Sequence, residues 1–133
     1  MPTTLTIRDE STATLGRPDL VWTLACPLEH LTARELIQLR IQHEVEAYNH
    51  RQPEVFQGLV QPSDAERALN GFRLRERRRL DWRRQAERAL AAFESNGFIL
   101  LVDDRQVDSL DQVLAVGPQT TITFLKLVPL VGG

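Results

Sequence analysis

The sequence predicts an α+β fold in one domain. Strand-like runs occupy both ends of the chain, and strongly capped helical segments lie between them. The chain has 133 residues, 42% of them hydrophobic and 26% charged, which is typical of a soluble protein with one core. The predicted order is strand, strand, helix, helical insertion, strand, short strand, turn and strand.

The first two strands are predicted as a hairpin. Residues 3–8 alternate polar and apolar side chains, which places Leu5 and Ile7 on one face. Residues 20–25 form a second strand-like run, and the turn-forming residues 16–19 separate the two.

A main helix follows and begins with a capping box. Thr32 can accept from the amide of Glu35, whose carboxylate reaches back to the Thr32 amide. The helix should end near Asn49, shortly before Pro53. Its apolar stripe consists of Ile37, Ile41, Val45 and Tyr48, and we expect the polar side chains largely elsewhere on the wheel: Gln38, Arg40, Gln42, Glu44 and Glu46.

Residues 53–95, called the insert below, are predicted as a helical insertion that starts with a loop over 54–62. A second capping-box pattern at 63–66 predicts a short helix that Gly71 ends. A longer helix is predicted over 74–95, with Asn96 and Gly97 closing it. Its apolar stripe is Trp82, Ala86, Ala89, Leu90 and Phe93.

The C-terminal part is predicted as a sheet. Residues 98–102 read as a buried strand, 103–104 as a turn and 105–107 as a short strand. One helical turn is expected over 108–114, and the last strand over 120–128.

The last strand has two apolar faces. We expect Ile122, Phe124 and Val128 in the core. The insert is expected to cover Leu125 and Leu127, whereas exposure would make these two, with Leu130, a partner-binding patch.

Three segments carry a family resemblance. "LTARELIQLRIQHEVEAYN", "FILLVDDRQVDSLDQVL" and "TITFLKLVPLVGG", in a β-β-α-β-β order, resemble the ubiquitin-like β-grasp family. The ending resembles that of prokaryotic sulfur carriers and bacterial ubiquitin-like modifiers. The resemblance implies a single β-grasp domain over 1–133, with a helical insertion at 53–95 between the main helix and the third strand, and a flexible tail at 129–133.

The resemblance also implies a function for the tail. An ATP-dependent adenylating enzyme would activate the Gly133 carboxylate, and Gly132 would fit its narrow channel because glycine has no Cβ. Pro129 would end sheet pairing, since it has no amide hydrogen. The protein would then be a modifier rather than an enzyme, with no bound cofactor. Contacts with the activating enzyme or another partner would come from Leu125, Leu127, Pro129, Leu130 and Val131.

The expected partners follow from this role. They are the activating enzyme, a conjugating enzyme, a deconjugating peptidase and target proteins. Lys126 is the only lysine, so only this side chain could accept a second copy, and we predict single attachments. A sulfur carrier, which would turn the same adenylate into a thiocarboxylate, remains an alternative, and so does a frayed terminus.

An adaptor is the other alternative. Residues 73–88, the arginine segment, hold eight arginines and three acidic residues. They could dock an acidic partner, a second copy or phosphates, although a solvated face is favoured and nucleic acid is not expected. The candidate docking residues are Arg77, Arg78, Arg79, Arg83 and Arg84.

Other functions have little support. Net charge is −2, Cys26 is the only cysteine, and neither a metal-binding motif nor a nucleophile motif occurs. The start of the chain lacks signal-peptide features and no run is long enough for a membrane span, so we expect a cytoplasmic protein.

Overall fold

A computed structural model describes residues 3–14, 17–68, 71–75 and 78–128. They form an α+β fold, as predicted, around a five-stranded mixed sheet. The helices of this part are α1 (Ala33–Arg51) and α2 (Trp82–Glu94). Its strands are β1 (Thr3–Ser11), β2 (Leu20–Cys26), β3 (His30–Thr32), β4 (Ala65–Ala68), β5 (Gly71–Leu74), β6 (Phe98–Val102), β7 (Arg105–Gln106), β8 (Val113–Ala115) and β9 (Thr121–Lys126).

The large sheet has the order β2-β1-β9-β6-β7. The predicted first hairpin is confirmed, because β1 pairs antiparallel with β2. At the centre β1 runs parallel to β9, and β9 pairs antiparallel with β6. The predicted turn after β6 is also confirmed: Asp103 and Asp104 have φ of 47° and 70°, as a tight hairpin with β7 requires.

The start of α1 is as predicted. Thr32 Oγ1 accepts from the amide of Glu35 at 3.1 Å, and Glu35 Oε1 accepts from the amide of Thr32 at 2.9 Å. The helix ends at Arg51, two residues beyond the expected end, with Gln52 in the left-handed region. The predicted apolar stripe is buried, but the wheel prediction is wrong for Arg40 and Glu44, which are buried too.

The short helix predicted over 63–71 is wrong. Residues of this region form the antiparallel hairpin β4–β5 instead. Phe56 and Phe72 exchange backbone hydrogen bonds of 2.7 and 2.9 Å, and this long-range bridge overrides the local capping pattern. Gly71 begins β5 with φ of 153°, where a Cβ would collide with the carbonyl oxygen of Phe56.

The longer helix of the insert is shorter than predicted. It begins at Trp82 rather than at residue 74, because Leu74 belongs to β5 and Asp81 caps the helix by accepting from the amide of Arg83 at 3.0 Å. Its end is as predicted: Asn96 has φ of 62° and the Gly97 amide donates to the carbonyl of Ala92.

The turn predicted over 108–114 is confirmed only in its first part. The amide of Gln112 donates to the carbonyl of Ser109 at 3.2 Å, and Ser109 Oγ accepts from the amide of Asp111 at 3.2 Å. Val113–Ala115 are strand β8, which pairs antiparallel with β3. This pairing buries Leu114 opposite Leu31, so strand formation covers more apolar surface than an isolated turn would.

One core joins the sheet, both helices and the insert. Phe98 of β6 lies 5.9 Å from Phe93 of α2 and 5.9 Å from Phe124 of β9, measured between ring centroids. Arg40 of α1 lies over the same Phe124 ring, so α1 and α2 pack on the same face of the sheet. The opposite, outer face has no helix over it in the described part of the chain. Neither α1 nor α2 is long and apolar enough to cross a membrane.

Candidate functional site

The end of β9 is the candidate site, because the chain leaves the sheet there. The amide of Val128 donates to Thr12 Oγ1 at 2.8 Å, and this hydroxyl donates to the Val128 carbonyl at 3.3 Å. The amide of Leu127 donates to the carbonyl of Gly97 at 3.2 Å. The segment is therefore anchored on both sides up to Val128, immediately before Pro129.

All five predicted tail residues lie outside the described residues. These are Pro129, Leu130, Val131, Gly132 and Gly133, so the structure does not test their predicted contacts or the predicted chemistry at Gly133.

Leu125 and Leu127 lie at the outer side of the sheet. Leu125 pairs with Ile99 across the strands and is half-buried, whereas Leu127 is 37% exposed. The prediction that the insert covers these leucines is wrong for Leu127, because α2 packs on the other face. Half-buried Ile99 and Leu101 accompany Leu125 and form an apolar outer-face patch.

The predicted docking arginines do not behave alike. Arg77 lies outside the described residues, and Arg78 is half-buried with its guanidinium donating to the carbonyl of Ser63. Arg79 and Arg83 are exposed, and the Arg83 guanidinium lies 5.0 Å from the centroid of the Trp82 ring. The side chain of Arg84 is 86% exposed and only 3.9 Å from a carboxylate oxygen of Asp81.

A buried ion triad, Asp9, Arg40 and Glu44, lies beneath the sheet and was missed in the sequence. Arg40 binds Asp9 through both terminal nitrogens and Glu44 through Nε at 3.2 Å. Its guanidinium also lies 5.3 Å from the Trp22 ring centroid and 4.5 Å from that of Phe124. The burial of an arginine can be predicted only when its partners are known. One of these partners, Asp9, is separated from Arg40 by 31 positions in the sequence.

The triad links three parts of the fold. Trp22 Nε1 of β2 donates to Asp9 of β1 at 3.1 Å, and the amide of Leu59 in the insert donates to Glu44 of α1 at 3.1 Å. Because each carboxylate has a further donor, the charges are held by hydrogen bonds on several sides. The triad therefore fixes α1 and the insert to the sheet.

Burial changes the pKa values of these groups. Burial raises the pKa of Glu44, and the attraction of Arg40 opposes this only in part. For Arg40 burial alone lowers the pKa, but Glu44 and Asp9 outweigh it and the pKa rises. The nearby Lys126 has a lowered pKa, because of its burial and then the charge of Arg40.

The described residues contain no cluster of three histidine, cysteine or acidic side chains that could hold a metal ion. No family model, curated protein or solved structure matches the chain.

Proposed function

We propose that the protein is a ubiquitin-like modifier that is activated at the Gly133 carboxylate by an ATP-dependent adenylating enzyme and conjugated to targets. A carboxylate does not react with amines or thiols until it is activated, so the activating enzyme must receive the tail in its ATP site. The protein is then a substrate and carrier, and the enzyme supplies the nucleotide chemistry.

The topology supports a β-grasp assignment within this proposal. A first hairpin, a long helix packed across the sheet, and a last strand parallel to the first are the features on which it rests. The insert interrupts this order between α1 and β6 without disrupting the sheet, since its core side chains pack beneath it.

The single observation that carries the proposal is the anchored exit at Val128 followed by "PLVGG". Thr12 and Gly97 hold residues 127–128 beside the sheet. Five residues beyond this anchor can extend about 16 Å, which is enough to enter a neighbouring protein. The partly exposed Leu125 and Leu127 lie at the start of this path and would contact the partner.

A sulfur carrier is the second candidate, because it uses the same anchored exit and the same adenylate. The two functions differ in what the adenylate becomes: an amide with a target lysine for a modifier, and a thiocarboxylate for a sulfur carrier. An adaptor that docks an acidic partner through the exposed Arg79, Arg83 and Arg84 is a third, and it requires neither product.

The experiment is mass spectrometry of the protein purified from its own cells. Trypsin cleaves after Lys126, so a modifier leaves residues 127–133 as a branch on target lysines. A sulfur carrier instead gives an unbranched 127–133 peptide in which sulfur replaces one carboxylate oxygen. The peptide must end at Gly133 in both cases, which the same spectra establish.

A matched control is the chain without Gly132 and Gly133, which keeps residues 3–128 unchanged. Branched peptides should disappear from its digest. Full cellular activity of this truncated chain, together with the absence of both products from the wild type, would contradict the proposal and favour the adaptor. Branches on Lys126 itself would contradict the prediction of single attachments.

A further inference from the structure

Strand β2 is a free edge of the large sheet, and it differs from the opposite edge, β7. Strand β7 is only two residues long and follows Asp103 and Asp104, so charge and brevity protect it from pairing. Strand β2 is seven residues long, and "LVWTLAC" contains neither a charge nor a proline. It therefore lacks the features that usually prevent edge pairing.

The direction of the free backbone groups follows from the ladder of β1. The amide of Thr6 donates to the carbonyl of Thr120 on the β9 side. Because the backbone groups of successive residues point to opposite sides of a strand, those of the odd-numbered residues of β1 point to β2. Their partners in β2 are even-numbered, such as Trp22 opposite Ile7. The backbone groups of the odd-numbered Val21, Thr23 and Ala25 consequently point away from the sheet, and no described residue pairs with them.

Exposed apolar side chains collect at the same edge. Leu20 is 46%, Val21 54% and Leu28 45% exposed, and these are three of the five large hydrophobic side chains that are exposed in the described part of the chain. Two of them belong to β2 and the third follows it by two residues. Unpaired backbone and apolar surface therefore coincide, which is typical of an interface.

We propose that this edge pairs with β2 of a second copy of the chain, antiparallel about a two-fold axis at Thr23. Thr23 is the central residue of Leu20–Cys26, so the axis sets it opposite Thr23 of the second copy. Val21 then lies opposite Ala25 of the second copy, and the reverse pair completes the ladder. The outward-pointing backbone amides and carbonyls of Val21, Thr23 and Ala25 are then hydrogen-bonded in each copy. The two five-stranded sheets become one continuous sheet.

The charges beside the strand favour a second copy over an unrelated strand. In an antiparallel pairing the segment that precedes β2 in one copy lies at the same end of the ladder as the segment that follows β2 in the other. This brings Arg17 of one copy to the end that carries Glu29 of the other, and the two-fold axis generates this arrangement twice. Both side chains are exposed in the single chain. Pro27 has no amide hydrogen, so the ladder stops there and its length is defined.

The test is sedimentation of the full chain over a concentration series, in a reducing buffer that prevents disulfides through Cys26. The wild type should show a concentration-dependent monomer–dimer equilibrium. Thr23→Lys and Thr23→Glu should each weaken the dimer at least about tenfold, because like charges then meet at the axis. A mixture of these two variants should recover the dimer, since opposite charges meet in the heterodimer.

The matched control is Thr4→Lys. Thr4 is also an exposed threonine on the outer face, but it lies on β1, one strand away from the edge, and its variant should dimerise like the wild type. Circular dichroism of each variant checks that it is folded. The proposal is overturned if the folded wild type stays monomeric up to millimolar concentration, or if Thr23→Lys dimerises as tightly as the wild type. It is also overturned if the mixture of Thr23→Lys and Thr23→Glu stays monomeric.

Discussion

Arg40 and Arg84 are the same residue type in two opposite settings. Arg40 is 1% exposed and is held by two carboxylates and two aromatic rings, whereas the side chain of Arg84 is 86% exposed beside one carboxylate at 3.9 Å. A buried charge must be paired, because its loss leaves the partners unpaired away from water, while an exposed charge is solvated in any case. The comparison separates charges that hold the fold together from charges that are free to contact a partner.

The largest effect is expected for Arg40→Met. The substitution leaves Asp9 and Glu44 buried without their common partner, so the free energy of unfolding should fall by about 3–5 kcal/mol. Urea unfolding followed by circular dichroism measures the change. A variant as stable as the wild type would show that the triad is not needed to hold α1 on the sheet.

A smaller effect is expected for Glu44→Gln, with a distinct pH dependence. The pKa of Glu44 is raised by burial above its ordinary value of 4.5, so over the window above 4.5 the folded state keeps a proton that the unfolded state has lost. The contribution of Glu44 to the free energy of unfolding should therefore fall as pH rises through this window.

Glu44→Gln removes this contribution while its amide oxygen can still accept from the amide of Leu59. Urea unfolding at a series of pH values, with the wild type beside the variant, measures the difference. An identical slope for both proteins would show that Glu44 titrates alike in the folded and unfolded states.

Lys126 lies between the two settings, because it is half-buried near the triad. Its lowered pKa means that the charged form is disfavoured in the folded state, so Lys126→Met should raise the stability at neutral pH, by less than about 1 kcal/mol. The gain should shrink as pH rises toward the ordinary value of 10.5, where the unfolded chain also loses the proton. Thermal unfolding at neutral and alkaline pH tests this, and a destabilised variant at neutral pH would contradict it.

The smallest effect is expected for the double variant Arg83→Gln, Arg84→Gln. Because both side chains are exposed, the free energy of unfolding should stay within about 0.5 kcal/mol of the wild type. The same variant should leave the branched conjugates intact if the protein is a modifier. A folded variant that loses cellular activity while keeping its conjugates would support the adaptor role.

Local patterns predicted part of the fold. The capping box at Thr32 and Glu35 and the turn at Asp103 and Asp104 depend on neighbouring residues only, and the structure has both. The first hairpin was predicted from the strand-like runs and the turn residues between them, and the structure has it as well. The capping pattern at 63–66 is equally local, but the helix that it predicts does not form. The backbone pairing of Phe56 with Phe72 favours the hairpin β4–β5 instead.

The candidate site was also predicted only in part. The last strand could be predicted from its composition, but its anchor at Thr12 could not, because 116 residues separate this hydroxyl from Val128. Arg40 and Glu44 were assigned to the polar side of α1, since a helical wheel does not contain the partner from β1 that makes their burial possible.

The central claim is that the Gly133 carboxylate is adenylated, and ATP–pyrophosphate exchange tests it most directly. The folded chain and the chain without Gly132 and Gly133 are each incubated with a candidate adenylating enzyme from the same cell, ATP and labelled pyrophosphate. We predict exchange that depends on the intact chain and is lost on truncation. Equal exchange with the truncated chain, or no exchange with any adenylating enzyme of that cell, would contradict the claim.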